Sequence, residues 1–261
     1  MQYALITGAS SGIGLELAKI MAAKGHHLIL VARRLNLLQE LKATLEKKYA
    51  VKVETRVADL SALGEAKALH EFCQHHQLEV EYLINNAGYG DYGKFDADKI
   101  DIYQNMLQLN IVALTELTAL FVNDMKQRKS GRIMNVGSIA AFQPGPNLAV
   151  YAASKAYVMH FTEALNYELR GSGVIATVLN PGMTETGFFS RAKMESASNA
   201  QSEMMDAASV ANSGYEAMMA GKLNVIPGWK NRMLAFGSQT MPSREVLLRI
   251  SGAILKDTSA N

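Results

Sequence analysis

Tyr151 and Lys155 stand four apart in the run VYAASKAY, which reads as the start of a helix. An ordinary tyrosine holds its proton until roughly pH 10. Residues four apart on a helix have Cβ atoms about 5–6 Å apart, so a lysine ammonium can lie against the phenol. At ~5 Å and an effective dielectric of ~20, that charge favours phenolate by about 3 kcal/mol, or roughly two pKa units. The spacing predicts a tyrosine that titrates near neutrality, where general acid–base chemistry works best.

A second chemical cluster is TGASSGIG, which contains Gly8, Ser10, Ser11, Gly12, Ile13 and Gly14. Glycines permit a tight turn and a close backbone approach to a pyrophosphate, and the following helix offers its N-terminal N–H groups to the charge. The spacing G-x-x-x-G-x-G departs from the generic dinucleotide fingerprint. Taken alone, the loop also reads as a sharp strand-to-helix turn.

LVARRLNLL adds context. Dinucleotide domains that choose NAD usually place an acid at the end of their second strand, for the ribose 2′-hydroxyl. Here Arg33 and Arg34 stand instead, and a guanidinium suits a 2′-phosphate. Cations are disfavoured at a helix N-terminus, so the pair predicts an anion nearby and NADP(H) over NAD, with Arg33 the closer group. In VADL, Asp59 and Leu60 fall where an adenine edge would sit, and NNAG brings Asn85, Asn86 and Gly88 to the same edge. Asn85 reads equally as a cofactor contact or as a tie between loops.

These residues must be positioned by regular elements, and the chain alternates apolar runs with helical patterns. YALIT, HLILVA, VKVETRVA, VEYLIN, GRIMNVGS, GVIATVLN and LNVIPG read as seven strands. Helical spacing occupies 14–25, 35–49, about 63–76, about 100–129 and from Tyr151 to about Arg170. Such alternation implies an α/β fold with a parallel sheet covered on both faces and wound right-handed. Ligands of such sheets bind beyond the carboxyl ends of the strands, where the residues above fall. One domain over 1–261 is expected, with an excursion rich in Ser, Met, Asn and Glu at about 184–208.

Composition excludes several classes. The 261 residues are 49% hydrophobic and 19% charged, with a formal net charge of +2, and no basic stripe interleaved with aromatics argues for nucleic acid. Cys73 is the single cysteine, which excludes an internal disulfide framework and reads as a buried helical thiol. His75 and His76 adjoin it without ligand spacing, so no metal is expected. MQYALITG enters a strand and a glycine loop at once, with no basic n-region, and the uncharged stretch 133–154 is interrupted by Pro144 and Pro146. A cytoplasmic protein is expected.

The order of TGASSGIG, NNAG, Asn110 in LQLNIVAL, Ser138 in NVGSIAA, YAASK and PGMTET resembles the short-chain dehydrogenase/reductase family over residues 7–186. The resemblance implies a doubly wound, Rossmann-type fold, a nicotinamide cofactor and hydride transfer at a carbonyl carbon. It further implies that Tyr151 is the general acid/base, that Ser138 polarises the substrate oxygen and that Lys155 binds the nicotinamide ribose. Asn110 would support a water relay to Lys155 through its backbone carbonyl. Thr184, by its backbone, and the Thr186 hydroxyl would hold the carboxamide. One departure is that Ser10 and Ser11 occupy loop positions where many NADP-preferring members carry a further basic residue. Tyr157 and Tyr167 read as packing residues.

Substrate choice is expected from Tyr89 and Tyr92 in GYGDYG, from Phe142 in AAFQPGPN and from Phe188, Phe189, Met194, Met204 and Met205 beyond Pro181. These would form an apolar lid over a ketone or aldehyde. The basic, amphipathic tail from Pro227 to Lys256 is assigned to self-association as a homodimer or homotetramer, ahead of membrane contact. The reading is an NADPH-dependent carbonyl reductase. Its rivals are an NADP-linked alcohol or hydroxysteroid dehydrogenase running oxidatively, and a scaffold that binds NADP without turnover.

Overall fold

Runs of aliphatic residues pair side by side, and the helices between them cover both faces of the resulting sheet. The computed structural model describes residues 1–187, 192 and 204–255. The strands are β1 (Gln2–Thr7), β2 (His27–Ala32), β3 (Val53–Val57), β4 (Glu79–Asn85), β5 (Gly131–Val136), β6 (Val174–Leu179) and β7 (Asn224–Val225). The α-helices are α1 (Gly12–Ala23), α2 (Leu35–Lys48), α3 (Glu65–His75), α4 (Ile100–Leu107), α5 (Leu114–Arg128) and α6 (Ala149–Glu168), followed by α7 (Ala207–Met219), α8 (Trp229–Thr240) and α9 (Arg244–Ile254).

All seven strands lie in one parallel sheet of order β3-β2-β1-β4-β5-β6-β7, the doubly wound arrangement. Alternation along β1 serves both faces. Ala4 and Ile6 pack with Leu17 and Met21 of α1, whereas Tyr3 and Leu5 pack with Leu69 of α3 and Phe121 of α5. The order reverses between β1 and β4, so the loops that follow them diverge and leave a crevice at the carboxyl edge.

Four local features differ from the pattern expected of the chain. The helical stretch 100–129 is interrupted by a π turn over Gln108–Ala113. Residues 97–128 are the one stretch among the described residues long and apolar enough to cross a membrane, yet half of its most apolar window is buried, as in a core helix. The last strand is only two residues long, because Pro227 offers no N–H to extend the ladder. Helix α7 escapes sequence reading because AASVANSGYEAMM combines weak helix formers with small residues. It folds against the sheet through Val210, Ala211 and Gly214, where a Cβ would come 2.8 Å from Leu179 Cδ2. Finally, Tyr167 is not a packing residue but lies on the surface, with the Arg170 guanidinium 4.2 Å from its ring centre. Tyr157 is half-exposed, and its hydroxyl lies 3.0 Å from that of Thr115.

Candidate active site

The crevice is deepened by a string of buried amides and hydroxyls that locks α6 to the sheet. Asn85 donates to Thr118 Oγ1 (3.0 Å) and Asn135 Oδ1 (2.9 Å), and Asn135 donates to Thr162 Oγ1 (2.9 Å). These bonds join β4, β5, α5 and α6 where no water competes, so they specify one seating of α6. Asn85 thus serves the framework. Cys73 is buried in α3 as expected, and burial pushes its thiol up to about 12.

Helix α6 presents Tyr151 and Lys155 to the carboxyl end of β5, where both side chains are buried. Ser138 follows β5 in extended backbone. Its N–H donates to Asn180 Oδ1 (3.0 Å), its Oγ accepts from the Ala140 N–H (3.1 Å), and it shares a side-chain hydrogen bond with Tyr151. The Lys155 ammonium donates to the Val136 carbonyl (2.8 Å) and lies 5.8 Å from the centre of the Tyr151 ring. Asn110, inside the π turn, accepts from the Tyr89 N–H (3.2 Å) and donates to the Tyr89 carbonyl (3.0 Å) and to Ser154 Oγ (3.1 Å). Ser154 in turn donates to the Tyr151 carbonyl (2.7 Å). Asn110 therefore braces both the loop after β4 and the first turn of α6.

The electrostatics correct the sequence argument for a tyrosine titrating near neutrality. Burial pushes the Tyr151 phenol up to about 12, against a downward pull from its hydrogen bond with Ser138. Burial also draws the Lys155 ammonium down to about 8. In a dry site desolvation of the charged form outweighs a cation that faces a carbonyl rather than the phenolic oxygen.

The nucleotide end is made of backbone and short polar groups. Gly12, at φ +56, takes a left-handed conformation that lets the chain turn from β1 into α1, and a Cβ there would come 2.8 Å from Thr186 Cγ2. A Cβ on Gly14 would collide with Gly8 O and Asn86 Nδ2. Asn86 holds the loop by donating from its side chain to the Thr7 (2.9 Å) and Gly8 (3.3 Å) carbonyls. The two arginines diverge. Arg34 reaches over the loop to Ser10 Oγ (3.1 Å) and Ser11 Oγ (3.2 Å), whereas Arg33 pairs with Asp59 (3.6 Å). Against an upward push from burial, bonds from Ser61 and the Arg33 guanidinium hold Asp59 below the usual carboxylate range.

These groups line one cleft of about 1050 Å³. Gly8, Ser10, Ser11, Gly12, Ile13, Arg33, Arg34, Asp59, Leu60, Asn86, Ser138, Tyr151, Lys155, Thr184 and Thr186 are all on its wall, and Gly14 and Asn110 stand behind it. A glycine cradle with no room for Cβ and a helix N-terminus fit the phosphates of a dinucleotide. Among the described residues no cluster of His, Cys, Asp or Glu could hold a metal.

The substrate end departs most from expectation. Phe142 packs into a cluster with Val158 and Met159, and the Tyr89 and Tyr92 hydroxyls donate to the Ile102 (3.0 Å) and Leu255 (2.7 Å) carbonyls; none of the three lines the cleft. Phe188, Phe189 and Met194 lie outside the described residues. Met205 closes the foot of the excursion, its N–H donating to Met183 O and its carbonyl accepting from the Glu185 N–H, both at 2.9 Å. The apolar wall comes instead from Leu148, Met183, Leu234, Ile254 and Leu255. The last three belong to the tail that sequence reading assigned to self-association, and their tertiary placement was not signalled by spacing. Asn180 was also missed. It stands just before PGMTET, and its Nδ2 donates to Asn224 Oδ1 (3.1 Å) while its Oδ1 holds Ser138.

A doubly wound sheet with a phosphate-type loop at its switch point and a Ser–Tyr–Lys cluster at the far end of the cleft defines a dinucleotide-binding α/β protein. A family model described as short chain dehydrogenase matches residues 2–197. The chain belongs to that family.

The chain is 31% identical over 200 residues to hydroxysteroid dehydrogenase-like protein 1 of Gallus gallus, covering 75% of this chain and 59% of that protein. It is 31% identical over 185 residues to the very-long-chain 3-oxoacyl-CoA reductase of Anas platyrhynchos, covering 69% and 58%. It therefore spans somewhat under three fifths of the length of these curated relatives. Among solved structures, a short-chain dehydrogenase from Sphingobium yanoikuyae in complex with NADPH superposes with a TM-score of 0.83 at 31% identity, covering 95% of this chain and 96% of that one. The bulky-bulky ketone specific alcohol dehydrogenase from Comamonas testosteroni gives 0.77 at 28%, covering 97% and 92%.

Proposed function

We propose that this chain is an NADP(H)-dependent oxidoreductase that reduces a bulky, apolar ketone or aldehyde to its alcohol. The observation that carries this reading is the buried, hydrogen-bonded pair of Ser138 and Tyr151 beside Lys155 on the wall of the cleft. Bound nicotinamide supplies the hydride for the carbonyl carbon. Tyr151, kept protonated at neutral pH by burial, donates its proton to the oxygen as charge gathers there. Ser138 donates a second hydrogen bond to the same atom. The Lys155 ammonium, still mostly charged at pH 7, would stabilise the phenolate left on Tyr151 and would hold the ribose hydroxyls of a bound nucleotide. Thr184 and Thr186, on the cleft wall, would hold the carboxamide of the nicotinamide. The same groups run the oxidation when the nucleotide ratio reverses.

Arg34 and the two serines it bonds hold the 2′-phosphate. Ser10 and Ser11 leave the loop without a cation, and Arg34 brings one to that place from the other side of the cleft. Arg33, paired with Asp59, would border the adenine. The NADPH complex of the Sphingobium relative supports this choice, and the names of the hydroxysteroid, 3-oxoacyl-CoA and bulky-ketone relatives support a large apolar substrate. We also infer a homodimer or homotetramer, as oligomers are common in this family.

Consumption of NADPH and NADH against a panel of carbonyl compounds tests the reading. Bulky ketones and aldehydes should be turned over with NADPH at least about tenfold better than with NADH, as loss of a charge-assisted bidentate contact costs. Equal rates with both nucleotides would remove the 2′-phosphate assignment. Turnover confined to small, highly charged carbonyls would remove the apolar pocket.

A further inference from the structure

The Ser138 N–H finds its acceptor in a side chain, unlike the N–H groups on either side of it. Gly137 and Ile139 donate to the main-chain carbonyls of Leu179 (2.7 Å) and Pro181 (3.0 Å), whereas Ser138 donates to Asn180 Oδ1 (3.0 Å). Gly137 makes room for that bond, since a Cβ there would collide with Asn180 Oδ1. From the fully buried Asn180 the bonds continue outward. Its Nδ2 donates to Asn224 Oδ1 (3.1 Å) on β7, and Asn224 Nδ2 donates to Glu163 Oε1 (2.8 Å) on α6. A half-buried carboxylate on α6 is thus linked, through two amides, to the backbone of Ser138.

This chain of bonds has a sense. An asparagine amide turned over keeps its shape but exchanges donors for an acceptor. A carboxylate only accepts, so Glu163 obliges Asn224 to offer it Nδ2 and to turn Oδ1 toward Asn180. Asn180 must then offer Nδ2 to Asn224, which leaves its Oδ1 for the Ser138 N–H. The N–H at the far end only donates and requires the same sense. Flipping either asparagine would set like against like at both of its bonds, where burial makes an unmatched polar group costly.

We propose that Glu163 is a positioning residue: its carboxylate sets the sense of the Asn224 and Asn180 amides and so fixes the Ser138 peptide, from which the hydroxyl is aimed at Tyr151 and the substrate oxygen. Glu163 is not on the cleft wall and acts only through Asn224 and Asn180. The inference rests on the proposed role of Ser138 in carbonyl reduction. A turn of the peptide that carries the Ser138 N–H would swing the hydroxyl off its line, and a misplacement of about 1 Å costs on the order of 10²-fold in rate. A plain brace between β7 and α6 would depend on how many bonds are made. Positioning depends on their sense.

Substitutions that reverse the sense test this in the full-length protein, with kcat on a bulky ketone, NADPH affinity and melting temperature recorded for each. E163Q still offers an oxygen to Asn224 and should keep kcat within about twofold. E163K offers only donors, which turns both amides over and sets Asn180 Nδ2 against the Ser138 N–H. Its kcat should fall about tenfold or more, as loss of a buried hydrogen bond costs, with NADPH affinity unchanged. Exchange of the Ser138 amide proton, followed by NMR without nucleotide, should quicken by a similar factor in E163K. N180D keeps an acceptor for Ser138 but turns Asn224 Oδ1 toward Glu163, so kcat should fall about tenfold as well. N180D/E163Q supplies a donor there and should recover to within about threefold of wild type, a non-additivity that bond counting does not produce. A wild-type value of either kcat or amide exchange in E163K would overturn the proposal. So would an E163Q loss as large as that of E163K, or an N180D defect that E163Q deepens. Should E163K not fold, N180D and N180D/E163Q decide alone. Faster Ser138 exchange in E163K, in a protein whose wild type reduces no carbonyl, would leave the positioning and remove the proposed reaction.

Discussion

The two ends of the cleft are built on opposite plans. The nucleotide end uses main chain, glycines and short side chains whose hydrogen bonds tie β1 and its glycine loop to the turn after β4, as when Asn86 clasps the Thr7 and Gly8 carbonyls. The substrate end leans on α8 and α9, each of which buries just two residues. A wall held by directional bonds recognises one shape and tolerates little change. A wall of flexible aliphatic side chains on lightly buried helices can be reshaped at small cost to the fold. One end therefore defines the family, and the other sets the substrate.

Substitutions on either side sharpen this contrast. Tyr151→Phe should lower turnover by about 10³-fold, within the range for loss of a general acid, while NADPH affinity measured by fluorescence titration stays within about twofold of wild type. Retained turnover would show that the Ser138–Tyr151 pair is not the proton source. Arg34→Ala should weaken NADPH binding by about 10- to 100-fold, as loss of a charged hydrogen bond costs, and leave NADH unchanged. Arg33→Ala should fall well short of that. If Arg33 proved the larger, the divergence of the two arginines would not be the basis of nucleotide choice.

Across the cleft, Leu234→Ala should raise KM for bulky ketones several-fold and leave the NADPH dissociation constant untouched, as measured by steady-state kinetics on one large and one small ketone. A change in nucleotide affinity would mean that the two ends are coupled. The smallest effect is expected for pH and stability. Lys155 has a folded pKa of about 8 against an ordinary 10.5, so between these values the unfolded chain binds the extra proton and stability rises with pH. Below pH 8 the cost of burying the charge is constant. Wild type should therefore gain a few degrees in thermal midpoint relative to Lys155→Met between pH 8 and pH 10, by calorimetry. The Tyr151 phenol, raised above 10, opposes this only at higher pH.

Much of the nucleotide end was legible because its signals are local. Gly8, Gly12 and Gly14 announce a turn, alternation announces β1, and Tyr151 with Lys155 is a single helical step. The parallel sheet and its two covered faces followed from the same alternation. Helix α7 was hidden because its core face is made of small residues that carry no hydrophobic signature, and β7 was overestimated because Pro227 ends it. At the substrate end Phe142, Tyr89 and Tyr92 were drawn to the cleft by proximity to motifs, but packing turned them into the interior.

By itself the sequence determined most of the elements, the parallel sheet they form and the chemical groups that gather at the carboxyl edge, because each depends on periodicity or on steps of a few residues. Only the tertiary structure decided which arginine reaches the serines, that burial rather than a neighbouring ammonium rules the Tyr151 proton, and that Leu234, Ile254 and Leu255 close the cleft. Each of these depends on desolvation and on contacts between residues tens to hundreds of positions apart, and no local pattern encodes those.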